Sequence, residues 1–344
     1  MDRLDLVQRI LARDPRGIGR ALRVVDDRLP GRDELMKDLW PHTGRSWVLG
    51  VTGNPGAGKS TMCDRLITAY RQRNERVGVV AVDPTSPYSG GAILGDRIRM
   101  QRHANDADVF IRSVATRGHL GGLSRSARDI VRVLDAAAYG VILVETVGVG
   151  QDELEITRTA HSTLVVMTPG LGDEIQAIKA GLLECADVFA VNKSDRDGAD
   201  ATVHDLELMI SLGNEALQSL PKGVGGVAHA ASAGPVRPRS VPSDDETWTP
   251  PIVRCIATRG DGVDEVVRAL GRHRGWLEGT VAGRNRRRSR LDEELRQALR
   301  EALLEAAIHD LGDRIDDAVR DVENRGVDPY TATERLVNAF RASG

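Results

Sequence analysis

The chain has 344 residues, enough for one large domain with appendages or about two domains at roughly 150 residues each. Lys plus Arg number 47 against 50 Asp plus Glu, a net charge of -3, so a general affinity for nucleic acid or anionic membrane has no whole-chain electrostatic basis. With 41% hydrophobic, 28% charged and only 3% aromatic residues, the composition excludes whole-chain disorder and favours parallel strands of Ala, Val, Leu and Ile under helices over an aromatic-rich sandwich.

In chain order, Leu4, Val7, Ile10 and Leu11, then Ile18, Leu22 and Val25, stand at helical spacing and break at Pro15-Arg16-Gly17, which predicts two helices before the main domain. From Ser46 the pattern changes. The apolar run Trp47 to Thr52 ends in a Gly-rich turn and gives way to helical spacing from Lys59 to about Arg73. Strand-like runs recur at 77–82, 141–144, 163–167, 188–191 and 252–256, with helical patterns at 124–138, 174–183 and 201–217. Strands alternating with helices mean βαβ units, so the fold class is α/β, a mainly parallel sheet whose ligands gather at the carboxyl ends of its strands. Residues 221–251, rich in Gly, Ala, Ser and Pro, are expected to form a long, partly mobile loop.

From about Arg284 the chain differs again. Leu291, Leu295, Leu299, Leu303, Leu304, Ile308, Leu311, Ile315, Val319 and Val322 form an apolar stripe, predicting one long helix or two in series. That stripe needs a partner surface, either its own domain or a second copy. The basic run Arg284, Arg286, Arg287, Arg288 and Arg290 suits a solvated helix start or a phosphate contact. The expected organisation is an N-terminal helical extension (1–44), a central α/β domain (45–280) and a C-terminal helical extension (281–344). Cys63, Cys185 and Cys255 are far apart and suit buried thiols in a reducing compartment. Charges in Met1-Asp2-Arg3-Leu4-Asp5 and the lack of any apolar run near the ~18 residues of a spanning helix point to a soluble cytoplasmic protein.

Gly53-Asn54-Pro55-Gly56-Ala57-Gly58-Lys59-Ser60-Thr61 matches the P-loop pattern G-x4-G-K-[ST], and it lies between an apolar strand and a helix start as the mechanism requires. Small residues let backbone N–H groups curl around phosphate oxygens at the positive end of the helix; Lys59 can reach the β- and γ-phosphates and the Ser60 hydroxyl can ligate Mg²⁺. Three acids follow in order. Asp83 ends the second strand, Asp96 stands in Gly95-Asp96-Arg97, and Glu145 ends the strand 141–144. Octahedral Mg²⁺ takes one or two carboxylates beside the phosphates, so not all three need touch metal. Glu145-Thr146-Val147-Gly148 occupies the place of a D-x-x-G element, where the Gly148 N–H can sense a γ-phosphate.

Asn192-Lys193-Ser194-Asp195 follows the strand 188–191 as an N-K-x-D element. The Asp195 carboxylate can accept two hydrogen bonds from guanine N1–H and N2–H, which adenine cannot supply. Asn192 can pair with the acceptor edge of the base, and the Lys193 stem can cover a ring face. The nucleotide expected is therefore GTP.

Asp83-Pro84-Thr85-Ser86, the string Gly90 to Met100, and Glu145-Thr146-Val147-Gly148-Val149-Gly150-Gln151 resemble the MeaB/ArgK/MMAA family of P-loop GTPases. So do Pro169 to Gln176, similar to a mobile switch segment of that family, and the terminal Asp328-Pro329-Tyr330. The likeness runs from about Ile18 to the C-terminus. It implies a GTP-hydrolysing chaperone that gates cofactor loading for an adenosylcobalamin-dependent acyl-CoA mutase, most often methylmalonyl-CoA mutase, with cobalamin held only by the partner. It also implies a homodimer through the C-terminal extension. By position, Lys59, Ser60, Asp83, Asp96 and Glu145 would serve phosphate and Mg²⁺, and Asn192, Lys193 and Asp195 would serve guanine. The family's Ser-Ala pair, whose backbone supports the guanine, is Ile256-Ala257 here, so only the backbone contact at Ala257 could survive.

Val149 stands where a Ras-like Gln would orient the attacking water, and the nearest Gln is Gln151. Slow intrinsic turnover is expected, raised by a partner, with Asp96 positioning water or metal. Two alternatives remain: an ATP-dependent kinase of transport proteins, against which Asn192 and Asp195 argue, and a nickel-type metal-insertion GTPase, which would want clustered Cys and His.

Overall fold

Seven strands form one sheet: β1 (Trp47–Gly53), β2 (Val77–Asp83), β3 (Val109–Ala115), β4 (Val141–Thr146), β5 (Ser162–Met167), β6 (Val188–Val191) and β7 (Ile252–Arg254). Their order is β3-β2-β4-β1-β5-β6-β7, and every neighbouring pair is parallel. The computed structural model describes residues 2–83, 100, 102–115, 125–146, 159–170, 186–218 and 247–343.

Period-two alternation sends successive residues of the central strands to opposite layers. Val48, Val80, Ile142 and Val144 join the core under α1 (Arg3–Leu11), α2 (Pro15–Asp26), α3 (Arg32–Leu39) and α5 (Arg125–Ala136). Leu49, Val79, Val141 and Leu143 join the core that includes residues of α4 (Lys59–Arg71) and the later helix Val263–Gly279. Both faces being covered explains why these strands read as continuous apolar runs. β5 and β6 pack in part against Leu206 of α6 (Ala199–Gln218).

The N-terminal segment forms three helices where helical spacing predicts two. Asp14 caps α2 by accepting from Arg16 N and Gly17 N, both at 3.2 Å, with Pro15 in the first turn. Gly31, at φ 84°, restarts the chain into α3, whose first turn carries Asp33 and Glu34. Ile18, Leu22 and Val25 are 0% exposed, and each such side chain contributes about 1.5–3 kcal/mol on burial. Arg32 reinforces the docking by an ion pair with the buried Asp129 of α5. β3 is not foreseen by the apolar-run reading, because Arg112 and Ser113 interrupt it and this edge strand is only half-buried. β7 stops at Arg254 rather than 256; Ile256 instead bridges antiparallel to Asp261 in a tight turn.

α7 (Val263–Gly279) is followed by α8 (Val281–Leu311), α9 (Asp313–Glu323) and α10 (Pro329–Ser343). Two compact units result, 1–286 and 287–344, the division falling inside α8. Gly312 (φ 48°) ends the long helix. The third C-terminal helix starts where Asp328 Oδ1 accepts from Tyr330 N and Thr331 N at 3.0 Å each. Much of the predicted stripe is exposed in the single chain, Leu295 at 70%. Cys63 and Cys255 are buried, and burial pushes the Cys255 thiol up to about 12; Cys185 lies outside the described residues. No helix among the described residues is long and apolar enough to cross a membrane.

At the amino ends of β5 and β6 a buried polar cluster ties α7 and the start of α8 to the sheet. Asp187 takes a bidentate contact from Arg286, Nη1 at 2.6 Å and Nη2 at 3.0 Å, and a third bond from Thr163 N at 2.8 Å. Of the basic run, Arg286 is thus neither simply solvated nor held for phosphate. Ser162 Oγ accepts from Trp47 Nε1 at 3.2 Å and lies 2.7 Å from His273 Nδ1. His273 Nε2 lies 3.4 Å from both Asp187 Oδ1 and Arg286 Nη1. Burial lowers the His273 pKa from 6.5 to about 4, with Asp187 opposing and Arg286 assisting the shift. The unfolded chain binds more protons between these two values, so the stability from burying neutral His273 is present above pH 6.5 and lost as pH falls toward 4. At roughly 1.4 kcal/mol per pKa unit this amounts to a few kcal/mol. His273→Gln should lower the melting temperature at neutral pH and flatten its decline over that window; an unchanged decline would assign the acid sensitivity elsewhere.

Candidate functional site

β1 delivers the Gly-rich loop to the carboxyl edge of the sheet between β4 and β5. Two glycines are required by close approach. A Cβ on Gly53 (φ 136°) would stand 2.0 Å from Val166 O, and one on Gly58 (φ 92°) would stand 2.4 Å from Asn192 Nδ2. The loop Asn54, Pro55, Gly56 and Ala57 closes with Ala57 N donating to Asn54 O at 3.1 Å, and α4 begins at Lys59, followed by Ser60 and Thr61. Lys59 is buried, its ammonium donating to Gly53 O at 2.7 Å and Asn54 O at 3.0 Å. The Asn54 Nδ2 is buried without a hydrogen-bond partner among the described residues, a donor suited to an oxygen ligand at the loop.

Register explains the next contact. β4 pairs with β1 so that Glu145 lies opposite Val51, and Ser60 Oγ donates to Glu145 Oε1 at 2.7 Å, both side chains buried. A hydroxyl that gives its proton to a carboxylate turns its lone pairs outward, which fits a cation at Ser60 Oγ. Asp83 ends β2, the strand beside β4, placing its backbone on the same edge. Asp96 and Gly148 lie outside the described residues, as do 171–176 of the switch-like segment.

β6 carries the second motif to this edge. Asn192 is buried with its amide engaged at both ends: Nδ2 donates to Ala57 O at 2.8 Å, and Oδ1 accepts from Ala257 N at 2.9 Å. Lys193, in the left-handed region at φ 58°, donates from Nζ to Gly56 O at 2.8 Å. Asp195 is half-exposed, with Arg259 Nη2 at 3.9 Å from its Oδ2. The two sequence motifs, with Ala257, therefore meet through direct bonds. Sequence reasoning does not single out Arg65 of α4, which donates from Nε to Ala257 O at 2.8 Å and from Nη2 to Thr258 O; a second-turn helical arginine gives no signal beyond a surface charge.

A parallel sheet with a P-loop after its central strand, and an N-K-x-D element on the same edge, defines a P-loop GTPase fold. The model of the methylmalonyl-CoA mutase-associated GTPase MeaB family matches residues 18–311, and the chain belongs to that family. A Pyrococcus abyssi chain named as a GTPase is 39% identical, the alignment covering 99% of this chain and 97% of the relative. The Escherichia coli GTPase ArgK is 35% identical over 74% of this chain and 70% of its own length. The mouse mitochondrial methylmalonic aciduria type A homolog is 32% identical over 69% of this chain and 51% of its own. A solved structure described as an LAO/AO transport system kinase superposes with TM-score 0.65 at 25% identity, covering 98% of this chain and 97% of that one. GTP binding follows from membership of the family.

Proposed function

We propose that this chain is a Mg²⁺-dependent GTPase that serves as chaperone to an adenosylcobalamin-dependent acyl-CoA mutase, methylmalonyl-CoA mutase or a close relative. The observation that carries the reading is the direct bonding of the P-loop to the N-K-x-D element through Asn192 and Lys193, in a chain of the MeaB family. The loop N–H groups of residues 53–61 hold the phosphates, and the Lys59 ammonium moves from its loop carbonyls to the β- and γ-phosphates. Ser60, Asp83, Asp96 and Glu145 are the set from which Mg²⁺ takes its protein ligands. When bound, the metal offsets the charge that develops on the transferred phosphoryl group. Glu145 orients the Ser60 hydroxyl, Gly148 senses the γ-phosphate, and Asp96 places water or metal. Asp195 selects guanine, with Asn192 and Ala257 shaping its seat and the Lys193 stem alongside.

Residues 45–280 form the GTPase domain in this reading, 1–44 its N-terminal extension, and 281–344 a homodimerisation extension that buries the exposed leucines of α8 against a second copy, in the cytoplasm. Cobalamin belongs to the mutase. The description of the transport system kinase structure raises the kinase alternative; base choice separates the two.

The test is GTP hydrolysis by the purified chain, alone and with a candidate acyl-CoA mutase, with ATP as competitor. Slow GTP-selective turnover that rises with the mutase is expected. Equal use of ATP would overturn the guanine assignment, and turnover unmoved by any mutase would remove the proposed client.

A further inference from the structure

The turn that follows β7 is held from two directions, by the base motif and by the P-loop helix. Ala257 is fixed on both sides of its backbone: its N–H donates to Asn192 Oδ1, and its carbonyl accepts from Arg65 Nε at 2.8 Å. Arg65 Nη2 also donates to Thr258 O, the next carbonyl along. A Cβ added at Gly260 would lie 3.9 Å from Arg65 Nη1, so the guanidinium lies against the turn. Within the turn, Arg259 N and Gly260 N donate to Ile256 O at 3.0 and 2.9 Å, and Ile256 N donates to Asp261 O at 2.9 Å. Arg65 sits on α4, the helix that the phosphate loop opens.

We propose that Arg65 is a positioning residue for base recognition, its guanidinium fork fixing the Ala257–Thr258 turn against the P-loop helix. The inference rests on the guanine-site reading above. A guanidinium presents its donors in a rigid planar fork, which fixes the direction of the bonds to two successive carbonyls, whereas an ammonium on a flexible stem imposes no such geometry. Holding the turn ready before the nucleotide arrives removes an ordering cost from binding. Asn192 ties the same turn to Ala57 of the loop, so base and phosphate subsites are held as one body. Arg65 touches neither subsite's ligand in this scheme. Its removal should act on the base end alone.

The experiment compares the full-length wild type with Arg65→Ala and Arg65→Lys, measuring Kd for GDP, ADP and inorganic pyrophosphate in the presence of Mg²⁺. Arg65→Ala should weaken GDP about tenfold and leave pyrophosphate within about twofold, so that the preference for GDP over ADP shrinks. Arg65→Lys, keeping the stem and the charge but not the fork, should fall between. Pyrophosphate binding shows that each variant still has its phosphate loop. An unchanged GDP Kd in Arg65→Ala, or parallel losses of GDP and pyrophosphate in both variants, overturns the positioning role while a GDP-selective wild type leaves the guanine site standing. A wild type that binds ADP as well as GDP overturns the guanine reading and this inference with it.

Discussion

Asp195→Asn should lower affinity for guanine nucleotides by about 10²–10⁴-fold and raise it for xanthine nucleotides. A carboxylate accepts from both N1–H and N2–H of guanine, whereas an amide offers one acceptor and one donor, so its NH₂ faces the 2-amino group. A site built around specific hydrogen bonds discriminates this strongly because mismatched buried donors are left unpaired. Xanthine carries a carbonyl in place of the 2-amino group and restores the match. Asp195 is half-exposed with Arg259 Nη2 at 3.9 Å, a surface pair worth at most about 1 kcal/mol, so the effect belongs to the base contact. The measurement is Kd for GDP and for xanthosine diphosphate; unchanged GDP affinity in the variant would remove Asp195 from the base site.

Lys59→Met should reduce GTP turnover at least about a hundredfold, the scale of losing one preorganised charge aimed at the reacting group. Methionine is chosen over alanine because Lys59 is buried beneath the loop, and the stem fills that space. The substitution still leaves Gly53 O and Asn54 O without their ammonium donor, which costs about 1–3 kcal/mol per unsatisfied group in the worst case. Melting temperature is therefore measured beside single-turnover hydrolysis at saturating GTP. A folded variant that hydrolyses at the parental rate would show that Lys59 takes no part in the chemistry.

Local pattern carries most of the sheet. Runs such as Val141–Val144 and Val188–Val191 are apolar because both faces are covered, and that same burial makes them visible in the order of residues alone. β3 escapes because Arg112 at its middle pairs with Asp26 of α2, so a charged residue sits where an apolar run should continue. The third N-terminal helix is short, and Arg32 at its start pairs with Asp129, a partner that no window of sequence contains. The motif residues Gly53 to Thr61 and Asn192 to Asp195 come together as their types suggest. What the sequence does not reveal is how they are tied. Asn192 suggests a base contact, yet its amide spans Ala57 and Ala257; Arg65 and Arg286 look like surface charges, yet hold Ala257 and Asp187 from distant points of the chain. Such roles depend on pairings 192 and 99 residues apart, which leave no periodicity.

The separation between Arg65 and Ala257 has a consequence for how the protein is made. A ribosome adding about 5–20 residues per second needs on the order of 10–40 s to pass from one to the other. During that interval β1 waits first for β4 and then for β5, its flanking strands, and its exposed edges are open to wrong pairing. A ligand stabilises only the state that binds it. Guanine nucleotide therefore cannot stabilise the complete site until the turn at Ala257 has emerged.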